Sequence, residues 1–320
     1  GASNPLMDMI KGWMDSDKIG KVSKVQIWTN RPVWPQGGAF PKPEPGKKPS
    51  EMEWDLWLGP APEIPFTPNL HPFNWRGWWD YGTGALGDVG CHLMDIPFRM
   101  LGLHYPLDAE CSVGSVYSQM WTPDYNPDGC PASSFITLHY GATAKNAVPL
   151  EMTWMDGGIR PSHPDIIPAD HDLGGANSAN GVMMIGEKGI ITHNINDSSP
   201  LMPKLYLYDG TQEFGPDRLE NTEPEYGHQR KWVDACKAGF GSKEHQGLTS
   251  SFDYAGPMTE TVLMGNLAIR SFMLRKPNSK GQQEFFGRRK LLWDGENMRI
   301  TNLEEANQFV GRTYRAGFEV

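Results

Sequence analysis

The chain has 320 residues, of which 38% are hydrophobic and 21% charged, and a formal net charge of −9. That length fits about two domains or one large one, and the composition is globular, with enough apolar residues for a core that needs no staples. The acidic balance and the lack of a long basic run argue against a nucleic-acid backbone as partner, and no apolar stretch approaches the ~20 residues of a membrane span.

Residues Gly1 to Pro5 form neither a signal peptide nor a Met start. From Pro5 to Asp17, the apolar positions Leu6, Met9, Ile10 and Trp13 share one helix face, and Gly20 is placed to close that helix. Val22, Val25, Ile27 and Trp28 read as a strand ending before Asn30. Residues Arg31 to Phe73 are rich in proline, which forbids most regular structure, yet dense in tryptophan (Trp34, Trp54, Trp57). A long ordered loop packed over something is expected there, and loops of that length commonly serve a function.

A helix is predicted from Gly84 to Leu101, kinked by Pro97. Strands follow at Ala109–Tyr117, Ser134–Tyr140 and Val148–Trp154, then a second irregular insert from Asp156 to Asn180. Val182–Ile185 and Ile190–His193 flank a Gly186–Gly189 turn, which is a hairpin signal, and Lys204–Tyr208 is another strand. Helices are predicted at His228–Ala238 and at Pro257–Arg270, the latter with proline in its first turn, and a short one at Glu304–Val310. Strands in succession followed by helices indicate an α+β fold, with a large, mostly antiparallel, open sheet and helices on one face. The four cysteines, Cys91, Cys111, Cys130 and Cys236, form no CxxC pair and read as buried free thiols.

Gly82-Thr83-Gly84-Ala85-Leu86-Gly87 matches GxGxxG in full. The dinucleotide fingerprint, however, needs a buried strand before the glycines, and Asn74 to Asp80 makes no credible one. The acid about twenty residues on, Asp108, precedes a strand where the ribose-binding acid belongs at a strand's end. Close helix packing is the favoured use of these glycines. Within the same segment, Asp88 and His92 stand four apart and share a helix face. A carboxylate beside an imidazole raises its basicity and fixes its tautomer, so the pair is suited to take a proton from an alcohol. An ordinary surface i,i+4 contact is the competing reading. Asp95 falls on the same face, for substrate or for a structural hydrogen bond.

At these residues the chain resembles the glucose–fructose oxidoreductase / inositol dehydrogenase / MocA (Gfo/Idh/MocA) family. The family's Asp-x-Gly-x-His-x-x-Asp is matched in full by Asp88-Val89-Gly90-Cys91-His92-Leu93-Met94-Asp95. Trp28–Pro32, Trp54–Pro60, Phe73–Trp79, Asp156–Gly158 and Phe252–Pro257 look like one branch of it. The resemblance implies a C-terminal domain akin to that of glyceraldehyde-3-phosphate dehydrogenase, with residues 1–320 as one substrate-binding and oligomerisation domain. It implies His92 as the proton-transfer group and Asp88 as its partner. An upstream Rossmann domain is expected to bring NAD or NADP, with none held by this chain, and the family's Glu-Lys-Pro is absent here.

Further candidates for substrate are Arg76, for an oxygen or carboxylate, and Trp75, Trp78 and Trp79, for a sugar ring; packing in the loop or core competes for all of them. Asp156, at a strand exit before two glycines, is a candidate against an ordinary turn, and His228, at a helix start, against a capping or surface role. His163, Asp165, His171 and Asp172 can be read as metal ligands, but their spacing fits no helical or finger site, so no metal is expected. The reading is a substrate-binding half of an NAD(P)-dependent oxidoreductase acting on a hydroxyl carbon of a sugar or cyclic polyol. The alternatives are an NAD-dependent glycosidase of the N-acetylgalactosaminidase type and a non-catalytic carbohydrate-binding or assembly domain. A homo-oligomer, dimer or tetramer, is expected through the open sheet face, on strands Val148–Trp154 and Val182–Ile185 that read as apolar on both sides.

Overall fold

The computed structural model of the protein describes residues 6–173, 180–194, 201–215 and 226–319. Helix α1 (Leu6–Asp15) buries Leu6, Met7, Ile10 and Trp13 on one face. It ends before Asp17, which itself takes the left-handed conformation (φ 54°), while Gly20 (φ 69°) turns the chain into β1 (Val22–Trp28). The helix is therefore closed by Asp17 and not by Gly20.

Among the described residues ten strands form one sheet. They are β1, β2 (Asp108–Val113), β3 (Ser134–Tyr140), β4 (Leu150–Met155), β5 (Gly181–Gly186), β6 (Gly189–Asn194), β7 (Leu201–Leu207), β8 (Gln212–Phe214), β11 (Leu291–Asp294) and β12 (Arg299–Ile300). Their order is β12-β11-β2-β3-β4-β1-β5-β6-β7-β8. Only the β1–β4 pair is parallel; the other pairs are antiparallel. A separate ribbon pairs β9 (Arg275–Pro277) with β10 (Gln283–Phe285). The strand predicted to Tyr117 stops at Val113, and β8 to β12 were not foreseen.

Strand β3 shows why the sheet is two-faced. Ile136, Leu138 and Tyr140 are buried, and Phe135, Thr137 and His139 point the other way. The inward rows meet α1, α3 (Gly84–Leu93), α4 (Asp95–Leu101) and α7 (Phe252–Phe272) in one core. Each fully buried aliphatic chain there contributes about 1.5–3 kcal/mol. The single kinked helix expected at 84–101 is two helices that break at Met94. Pro97 lacks an N–H and sits in the first turn of α4, where that donor is unused anyway. Helix α7 begins at Phe252, so Pro257 lies inside it and not in its first turn. It approaches α3 closely because Gly265 carries no side chain; a Cβ there would meet Leu86 Cδ2 at 2.5 Å.

The insert at 31–73 has its own small core of Trp54, Leu58, Leu70 and Trp78, with the Trp54 and Trp57 rings stacked at 4.6 Å. That core explains how so proline-rich a stretch is ordered. On the second sheet face Trp28, Met155, Met183, Ile190 and Tyr206 pack under Ile167 of the second insert. The remainder of that face is mostly polar, with Phe135 and Leu292 exposed on it. Lys24 bridges Glu151 at 2.9 Å, and His139 Nδ1 lies 2.6 Å from Asp108. Strand β4 is thus not apolar on both sides, because Glu151 and Thr153 face outward beside Thr137 and His139. The cysteines also depart from expectation: all four are free, but only Cys130 is buried, while Cys91 and Cys236 are exposed.

Candidate active site

Two short elements carry the site. A 3₁₀ turn, Asn74–Gly77, presents Trp75 and Arg76, and α3 presents Asp88 and His92 one turn apart. Arg76 Nε donates to Asp88 Oδ1 at 2.9 Å, and Nη1 donates to the Phe73 carbonyl at 2.9 Å. The guanidinium rests on the rings of Phe73 at 4.3 Å and Trp75 at 4.6 Å. The Trp75 indole N–H is turned to the Pro72 carbonyl at 3.2 Å. Arg76 is therefore stapled in the loop, with its charge spent on orienting Asp88.

His92 is exposed and lines a cavity of about 800 Å³ with Cys91, Asp95, Arg99, His228 and Tyr254. That volume is within the range of small-molecule sites. The floor is a hydrogen-bonded group in which Arg99 Nε is left without a partner among the described residues. Asp95 Oδ1 accepts from the Tyr254 hydroxyl at 2.5 Å and from Arg99 Nη2 at 3.1 Å. Burial, together with the Asp95 hydrogen bond, pushes the Tyr254 hydroxyl well above its ordinary pKa. Burial also raises the Cys91 thiol, with Asp88 adding to it, so Cys91 stays protonated and is a poor nucleophile. His228, in the first turn of α5 (Gly227–Ala238), closes one side.

The structure thus brings His92, Asp95 and His228 to one cavity and sets Trp75, Arg76 and Asp88 behind it. Arg76 and Asp156, both substrate candidates from sequence, do not line the cavity; Arg99 and Tyr254 wall it. Arg99 had a signal in sequence, four residues after Asp95 on one helix, whereas Tyr254 had none beyond its place in a family-like stretch.

Asp156 is corrected by the structure. It is 3% exposed, and its carboxylate accepts from Ser134 N, from Ser134 Oγ at 2.8 Å and from Trp154 Nε1 at 2.9 Å. Burial pushes its pKa up to about 6 against those three donors. It ties the ends of β3 and β4 together, and Gly157 (φ 67°) makes the turn behind it. A buried hub with every donor internal is not a substrate group.

The glycines at 82–87 are filled by the chain itself. A Cβ on Gly82 would meet the Arg76 backbone at 2.7 Å, one on Gly84 would meet Cys130 Sγ at 2.9 Å, and one on Gly87 would meet Thr83 Oγ1 at 1.6 Å. No strand precedes them, so this segment does not fit a pyrophosphate. His163 Nε2 faces the His171 carbonyl at 3.0 Å, and among the described residues no group of three potential ligands is placed for a metal.

The fold is an open, mostly antiparallel sheet with helices on one face, and α3 above it carries an imidazole and a carboxylate one turn apart. Residues 12–140 match the family model described as "Oxidoreductase family, C-terminal alpha/beta domain", of the Gfo/Idh/MocA group. That segment is similar to the family at the same residues that carried the sequence resemblance. No curated protein matches the chain. Among solved structures it is similar to an inositol dehydrogenase homolog from Azotobacter vinelandii complexed with NADH and myo-inositol. The identity is 14% and the TM-score 0.46, over 84% of this chain and 60% of that one. It is also similar to the WlbA dehydrogenase from Bordetella pertussis in complex with NADH and UDP-GlcNAcA, at 9% identity and TM-score 0.42, over 83% and 59%. Gal80p from Saccharomyces cerevisiae is similar at 14% identity and TM-score 0.40, over 83% and 59%. The chain spans about 60% of the length of the solved structures it matches.

Proposed function

We propose that this chain is the substrate half of an NAD(P)-dependent oxidoreductase that acts at a hydroxyl carbon of a sugar or cyclic polyol. The observation that carries the reading is His92, exposed at the mouth of a cavity of about 800 Å³ one turn after an Asp88 that Arg76 holds in place. Oxidising a secondary alcohol requires loss of the hydroxyl proton as the hydride departs. His92 takes that proton, and Asp88 supports the positive charge that forms on the imidazole. Asp95, Arg99 and Tyr254 form the polar floor on which a hydroxylated ring rests, and His228 offers a further hydrogen-bonding group.

A bound nicotinamide would accept the hydride, but the Gly82–Gly87 segment does not fit a dinucleotide, and the chain supplies the proton side of the reaction. In the same reading the exposed remainder of the open sheet face, which carries Phe135, is where a second copy docks.

The test is oxidation of a panel of polyols and sugars, followed at the nicotinamide absorbance band, by the protein together with its nucleotide-binding half. Turnover that collapses in His92→Ala supports the reading. Release of free sugar from glycosides would replace it with the glycosidase alternative. Sugar binding without any turnover would replace it with the non-catalytic one.

A further inference from the structure

A second cavity, of about 770 Å³, runs along the other side of α7. It shares the wall formed by Thr83, Ala255, Thr259 and Leu263 with the His92 cavity but none of the polar groups proposed to handle the sugar. Most of its lining lies beyond the segment 12–140 that matches the oxidoreductase family. Its apolar lining includes Trp79, Leu267, Trp293 and Phe309. Two polar side chains on one face of α7 enter it four residues apart: Asn266 and Arg270.

Both are unsatisfied among the described residues. Arg270 rests against the rings of Phe309 at 4.3 Å and Trp79 at 5.6 Å, but it has no ion pair and donates no hydrogen bond there. Asn266 is 4% exposed, and neither atom of its amide has a partner. A half-buried guanidinium packed on aromatic rings keeps its N–H edge free, and that edge matches a carboxylate bidentately. The acids that line the cavity do not serve as its counterion: Glu260 accepts from Trp293 Nε1 at 2.5 Å, and both it and Asp253 lie about 15 Å or more along the helix axis from Arg270. The cavity is thus mostly apolar, with one cation at one end that Asp80 supports only through space, without a salt bridge or hydrogen bond among the described residues.

We propose that this cavity is a binding site for an amphiphilic carboxylate, with the head group on Arg270 and Asn266 and the apolar body along α7 between Trp79, Leu267 and Trp293. The carboxylate accepts from the N–H edge of Arg270 that no described group uses, and water leaves the indole and aliphatic surfaces.

Isothermal titration with octanoate, 1-octanol and acetate tests it, with tryptophan fluorescence as a second readout because Trp79 and Trp293 line the site. Octanoate is expected to bind saturably, at least about tenfold more tightly than octanol, with acetate weaker than either. Arg270→Gln is expected to weaken octanoate by about tenfold and leave octanol unchanged. Equal affinity for octanol and octanoate would overturn the proposal. So would the absence of saturable octanoate binding, or a folded Arg270→Gln that binds octanoate like the parent. If circular dichroism shows that Arg270→Gln does not fold, Met298→Glu decides, since Met298 is 55% exposed at the cavity rim. A several-fold loss of octanoate affinity there supports the site, and an unchanged affinity overturns it.

Discussion

Arg76 Nε holds Asp88 Oδ1 at 2.9 Å, one helical turn before His92. Both partners are partly exposed, at 23% and 32%, so the pair adds little to stability, on the order of 0–1 kcal/mol. Its expected effect is on orientation. Arg76→Met should leave the melting temperature nearly unchanged and lower turnover of the oxidoreductase by about tenfold, with Asp88→Asn similar and the double variant no worse than either alone. Fully additive losses in that cycle would show that the two residues act independently.

His92 is exposed, so His92→Ala should fold normally. Turnover should fall by roughly 100-fold or more, the usual effect of losing a positioned proton-transfer group. A variant that retained full kcat would remove His92 from the chemistry.

The pH dependence of stability has two buried contributors of opposite sign. His193 is 2% exposed with both ring nitrogens unpartnered, and burial lowers its pKa to about 3 from 6.5. The unfolded chain therefore binds a proton that the native state refuses. The native state keeps its full advantage above pH 6.5 and loses it as the pH falls toward 3, by up to about 1.4 kcal/mol per pH unit. Asp156, raised to about 6 from 3.8, works the other way, because its contribution is present below pH 3.8 and lost as the pH rises through 6. Urea titrations at pH 4.5 and 7.5 should show His193→Leu gaining stability relative to the parent at the lower pH. Asp156→Asn, which turns an amide N–H₂ toward the donors of Ser134 and Trp154, should cost about 1–3 kcal/mol at both. A His193→Leu difference that does not change with pH would contradict the assignment.

The glycine segment is expected to behave as packing. Gly87→Ala meets Thr83 Oγ1 and should destabilise by about 1–3 kcal/mol in thermal melts. Calorimetric titration of this chain with NADH should show no binding at micromolar concentration. A micromolar Kd abolished by Gly87→Ala would return the segment to phosphate binding.

Light scattering at micromolar concentration should report at least a dimer. Phe135 is 37% exposed on the open sheet face, and Phe135→Glu should shift the population toward monomer. A parent chain that is monomeric would leave the polar face without the proposed partner.

The strand at Ser134–Tyr140, the hairpin about Gly186–Gly189 and the face of α1 were legible because each is set by short-range periodicity: two in a strand, 3.6 in a helix. The Asp88–His92 spacing on a helix was legible for the same reason. The edge strands β11 and β12 were not, because Leu291–Asp294 is too short to carry a pattern and becomes a strand only by pairing with β2.

Amino-acid order thus determined which residues share a face: the two-sided strands, the Asp88–His92 pair and the glycine-lined start of α3. Tertiary structure alone decided what each face meets. Asp156 reads as a strand-exit acid until Ser134 and Trp154 close over it, and Tyr254 acquires a place in the site only when α7 crosses α4, far away in the chain. The reason is physical: local spacing controls direction relative to a helix or strand axis, whereas burial, and with it pKa and access to solvent, depends on elements brought together by packing over long sequence separations.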